Sequence, residues 1–84
     1  MPEIARFYGL IIKMFFMQSE NNPPHFYALY GEEIGAFDIN TLTMTEGDLP
    51  PRAVSLAEEW AEHHKAELLE MWNTQNIHKL PPLR

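Results

Sequence analysis

Cysteine does not occur anywhere in the 84 residues. That excludes a disulfide framework and any thiolate metal site, and it makes a reducing compartment, the cytoplasm, the expected location. Cations are scarce: Arg6, Lys13, Arg52, Lys65, Lys79 and Arg84 stand against 12 carboxylates, for a formal net charge of -6. They are scattered, so nothing tracks a phosphate backbone, and nucleic-acid binding by the chain alone is not expected. Long apolar runs are missing as well. The most apolar stretch, residues 7–17, is interrupted by Lys13 and falls short of the roughly 20 residues that cross a bilayer. It also lacks a small-residue cleavage site, so neither an anchor nor a signal peptide is expected there. With four glycines in all, there is no glycine-rich phosphate loop and no glycine-flanked elbow around Ser19 or Ser55. No cofactor is expected, and no internal repeat is present.

What is there is apolar enough to fold: 45% hydrophobic and 12% aromatic residues are the content of a globule, and the length predicts one domain over 1–84. Residues 4–8 and 10–17 are β-branched and aromatic runs divided at Gly9, which predicts two strands or one bulged strand. Both faces of 10–17 are apolar, as a central strand requires. Residues 18–24 are polar and end in Asn-Asn-Pro-Pro, a loop. Residues 25–30 alternate as a further strand, 34–39 as its hairpin partner after the turn at Gly31, and 42–45 as a short last strand before an exit loop at Glu46 to Asp48. From Pro51 the period changes to that of a helix. Proline at a first helical turn sacrifices no hydrogen bond, and Asp48 upstream complements the positive end of the dipole. At 100° per residue, Ala53, Ala57, Trp60, Ala61, His64, Leu68, Met71 and Trp72 share one side, opposite Ser55, Glu58, Glu59, Glu62, Ala66, Glu70 and Asn73. Strands at about 4–46, one helix at about 51–73 and an extended tail at 74–84 predict an α+β fold: an antiparallel β-meander of four to five strands packed on one long C-terminal helix. The tail either frays or docks Ile77, Leu80 and Leu83 on the domain or on a partner.

Five segments together are similar to one family of small bacterial and archaeal domains, domain of unknown function 4160. They are Ile4-Ala5-Arg6-Phe7-Tyr8-Gly9, Asn22-Pro23-Pro24-His25-Phe26, Asp38-Ile39, Gly47-Asp48-Leu49-Pro50, and Trp60-Ala61-Glu62 with His64, Leu68 and Trp72. The Pro-Pro-His-Phe element is the most specific. This chain departs from the family pattern at Tyr27, where a second histidine is typical, and at His63, where leucine is more usual. The resemblance implies a member of an uncharacterised family, often encoded beside a second small domain in an arrangement resembling toxin–antitoxin pairs.

The titratable candidates are His25, His63, His64 and His78, with Asp38 the nearest plausible carboxylate. Their spacing matches no ligand motif, and Tyr27 removes the short His-x-His pair of the family, so no metal site is expected. A His25–His64 pair with Asp38 orienting one ring has acid–base chemistry available near neutrality, but no nucleophile accompanies it. The plainer expectation is that His25 opens a strand and bonds loop backbone while His64 is a satisfied core histidine beside Trp60. Likewise the two tryptophans are read as core and the acidic run Glu58, Glu59, Glu62, Glu67 and Glu70 as a wet helix face. One helix cannot cover both faces of strand 10–17, which makes Ile11, Phe15 and Met17 the candidate binding residues. The reading is therefore a protein-binding module of a two-gene pair, its partner an adjacent gene product or a second copy of itself. A small His-based hydrolase or nuclease is the alternative, and a structural homodimer a further one.

Overall fold

The computed structural model describes residues 3–14 and 23–83. Five strands, β1 (Glu3–Phe7), β2 (Leu10–Lys13), β3 (His25–Tyr30), β4 (Glu33–Asp38) and β5 (Thr43–Gly47), form one antiparallel sheet in the order of the chain, β1-β2-β3-β4-β5. The meander follows from its turns. Phe7 pairs with Leu10, so Tyr8 and Gly9 are the whole β1–β2 loop, and both have positive φ (48° and 84°), the geometry that matches the twist of adjoining strands. The β3–β4 loop is Gly31-Glu32, closed by Tyr30 opposite Glu33, with Gly31 at φ 62°. β2, expected as a central strand, is an inner strand between the edge strand β1 and the middle strand β3. Phe15, Phe16 and Met17 lie outside the described residues.

Residues expected as a single long helix form two, α1 (Pro51–His63) and α2 (Lys65–Thr74). Pro51 opens α1. The division is at His64, whose φ of -123° leaves the helical region and whose N–H reaches back to the Ala61 carbonyl (3.1 Å). Two contacts hold the new direction: Lys65 Nζ donates to the Asn40 carbonyl in the β4–β5 turn (2.8 Å), and His64 Nδ1 meets Glu67 Oε1 (2.9 Å). The apolar stripe passes through the break without losing phase, because Ala53, Ala57, Trp60 and Ala61 of α1 and Leu68 and Met71 of α2 are all buried. β5 also differs from expectation, running on through Glu46 and Gly47, which read as exit loop in the sequence.

The core lies between the helices and the sheet face bearing Leu10, Ile12, Met14, Phe26, Ala28 and Phe37. Trp60 is its centre, stacked on Phe7 (5.8 Å, 30°) and edge-on to Phe26, which in turn stacks on its cross-strand partner Phe37 (5.1 Å). The tail docks. Trp60 Nε1–H donates to the Pro81 carbonyl (2.9 Å), the Leu80 N–H to the Ile4 carbonyl of β1 (2.9 Å), and Ile77, Leu80 and Leu83 pack on the core. Among the described residues, no helix is long and apolar enough to cross a membrane.

Candidate functional site: the open face of the sheet

Side chains alternate along a strand, so burying Leu10, Ile12, Phe26, Ala28 and Phe37 under the helices sends the residues between them to the opposite face. The register aligns these in rows. Arg6, Ile11, Leu29 and Ile34 make one, Lys13, Tyr27, Ala36 and Glu46 the next, and His25, Asp38 and Thr43 the third. The first row is an apolar strip across β2, β3 and β4, with Ile11 and Leu29 half-buried and Ile34 45% exposed. Of the predicted binding residues, Ile11 stands in this strip; Phe15 and Met17 are outside the described residues. Exposed carboxylates rim the Ile34 end: Glu32 in the turn before it, Glu46 on the neighbouring strand, and Asp48, whose N–H donates to the Ile34 carbonyl (3.2 Å).

The second and third rows enclose a concavity of about 240 Å3 lined by Pro23, His25, Tyr27, Ala36, Asp38, Thr45 and Glu46. Two local features make it. Ala36 sits between Tyr27 and Glu46 in its row, so a methyl group stands where its neighbours are long. Opposite it β5 is bulged: Ala36 pairs with Glu46 and Phe37 with Met44, leaving Thr45 as the extra residue, its hydroxyl donating to the Ala36 carbonyl (3.4 Å). A bulge re-aims side chains, and here it brings Thr45 and Glu46 to one rim. Nothing in residues 42–48 announces the extra residue, and Tyr27, Thr45 and Glu46 were not among the expected site residues.

The structure separates the three candidates for acid–base chemistry. His25 and Asp38 are cross-strand partners in this concavity. His64 instead lines a second hollow of about 310 Å3 with Glu59, Trp60, His63, Pro82 and Leu83, between α1 and the tail. The His25 Nδ1–H donates to the Pro23 carbonyl (3.0 Å), which fixes the tautomer and leaves Nε2 as the acceptor of the neutral ring. That ring also meets Tyr27 (5.4 Å) and Trp72 (4.8 Å). Asp38 Oδ1 accepts the N–H groups of Asn40 (2.7 Å) and Thr41 (3.1 Å), capping the β4–β5 turn. His64 lies against Trp60 (5.1 Å) and bonds Glu67. Among the described residues, no three of His, Asp or Glu converge on one point.

Among the described residues, two titrations are displaced. The Arg6 guanidinium, bonded to Glu3 (2.8 Å), holds the Glu3 carboxyl below its ordinary value and raises that of Arg6.

A five-stranded antiparallel meander with helices on one face and a concavity on the other defines a small α+β domain. The family model of a domain of unknown function, DUF4160, matches residues 9–73, and the chain belongs to that family. Searches of curated proteins and of solved structures gave no match.

Proposed function

We propose that this chain is a protein-binding module of the cytoplasm, one half of a two-component, toxin–antitoxin-like pair, and that it docks the product of an adjacent gene on its open sheet face. The observation that carries the reading is the strip Ile11–Leu29–Ile34, three aliphatic residues aligned across three strands on the face the helices leave uncovered. Apolar side chains aligned in register on an uncovered face, rimmed by polar ones, are the pattern of an interface, whereas scattered ones are ordinary surface. Charge selects the kind of partner. A chain of net charge -6 with Glu32, Glu46 and Asp48 around the Ile34 end attracts a basic protein.

Co-expression with the neighbouring gene product, followed by sedimentation of each component alone and mixed at micromolar concentration, tests it. The expected result is a monomer alone and a stable heterocomplex when mixed. A monomer in both conditions refutes the reading, and a self-associated dimer that ignores the partner replaces it with the homodimer.

A further inference from the structure

The concavity over Ala36 lies one row away from the apolar strip, and its lining mixes apolar surface with polar and charged groups. Asp38 and Glu46 contribute carboxylates, and no described hydrogen bond or ion pair engages Glu46. Asp38 spends Oδ1 on two backbone N–H groups and retains the acceptor capacity of Oδ2. Thr45 adds a hydroxyl oxygen. The His25 ring, with Nδ1 committed to Pro23, presents an acceptor nitrogen when neutral. Tyr27 supplies an aromatic wall, and no lysine or arginine is among the lining residues. The site thus offers two anions, further acceptors and a π surface, in a volume suited to one long side chain.

We infer that this concavity binds a guanidinium group, the arginine side chain of the basic partner that docks on the adjoining strip. The inference rests on the docking reading above for the source of the arginine and on the cavity alone for the chemistry. A guanidinium is planar, carries five N–H donors and no acceptor, pairs with carboxylates through two parallel bonds and stacks on aromatic rings. Here Glu46 on β5 and Asp38 on β4 both line the concavity, across from Tyr27 on β3, so the donors of one guanidinium find two anions beside an aromatic ring. A neutral side chain of the same shape would bring no charge to either carboxylate. Ala36 is what keeps the floor open, and the bulge at Thr45 is what brings Glu46 to the rim.

The test uses the intact chain and N-acetyl-arginine amide, with N-acetyl-citrulline amide as its uncharged isostere, followed by amide NMR. Expected are saturable shifts in the millimolar range confined to Tyr27, Ala36, Asp38, Thr45 and Glu46. Binding should be at least about tenfold weaker for citrulline and for the Glu46→Gln variant, as expected from losing one charge-assisted hydrogen bond. Ala36→Leu, which fills the floor, should abolish the shifts; Glu46→Gln alters an exposed side chain and decides the matter if Ala36→Leu does not fold. Equal shifts from arginine and citrulline, indifference to Glu46→Gln, or no shifts at these residues would overturn the site. The two readings fail separately. If the partner binds Glu46→Gln as tightly as wild type, the arginine anchor is wrong and docking stands; if arginine amide binds but no heterocomplex forms, docking is wrong and the guanidinium site stands.

Discussion

Trp60→Ala probes the centre of the core. The side chain is fully buried, stacked on Phe7, edge-on to Phe26 and bonded through Nε1 to the Pro81 carbonyl. Removing a buried aromatic costs about 3 to 5 kcal/mol in transfer and cavity energy. Losing the indole hydrogen bond adds roughly 1 kcal/mol, and no more, because Pro81 is exposed and water can replace the donor. The sum, about 4 to 6 kcal/mol, reaches the lower end of the roughly 5 to 15 kcal/mol that holds a domain together, so Trp60→Ala should be largely unfolded without denaturant. Trp60→Phe separates the terms, since it keeps most of the packing and loses the N–H; it should cost about 1 to 3 kcal/mol and remain folded. Urea unfolding by far-UV circular dichroism gives both values. A Trp60→Ala midpoint close to wild type would show that the helices do not depend on this residue, and the account of the core would be wrong.

Gly47 has φ 101°, and a Cβ there would collide with the Ile34 carbonyl oxygen; Gly47→Ala should lower stability by about 2 to 4 kcal/mol, and a neutral urea midpoint would contradict the β4–β5 geometry. Leu80 is 7% exposed and its N–H bonds Ile4, so Leu80→Ala should cost about 2 to 3 kcal/mol and speed hydrogen exchange at Leu80; unchanged values would mean the tail does not dock. Glu3 is held below its ordinary titration range, chiefly by the hydrogen bond from Arg6. A depressed folded pKa gives stability that is present above the ordinary glutamate range and lost as pH falls through the lowered value. Arg6→Ala should return Glu3 to the ordinary range in an NMR titration, with little change in stability because the pair is solvent-exposed.

The meander was legible because its punctuation is local. Tyr8-Gly9 and Gly31-Glu32 separate runs whose alternation is intact, and Pro51 marks the helix start through its own covalent geometry. The break at His64 was not, since the positions that bury Trp60, Ala61, Leu68 and Met71 fall on one stripe whether or not the helix is interrupted. What divides it is tertiary: Lys65 reaches Asn40, a contact that no periodicity encodes. The tail carried a signal in Ile77, Leu80 and Leu83, but its target, the Ile4 carbonyl, is at the other end of the chain. The open face followed from a count of amphipathic helices against apolar strand faces, and Ile11 came from it. The concavity did not, because it depends on the extra residue at Thr45, and register is a property of two strands together.

The central claim is that the open face is the docking surface, and calorimetric titration of the adjacent gene product into paired variants tests it most directly. Ile34→Glu places a charge in the exposed strip, and Glu62→Ala alters the exposed side of α1. The account predicts that Ile34→Glu weakens the complex at least about tenfold, since placing a charge on a docked apolar residue costs on the order of 2 kcal/mol, while Glu62→Ala binds as wild type does. A complex that tolerates Ile34→Glu, or that is lost with Glu62→Ala instead, would place the interface on the helices and contradict it.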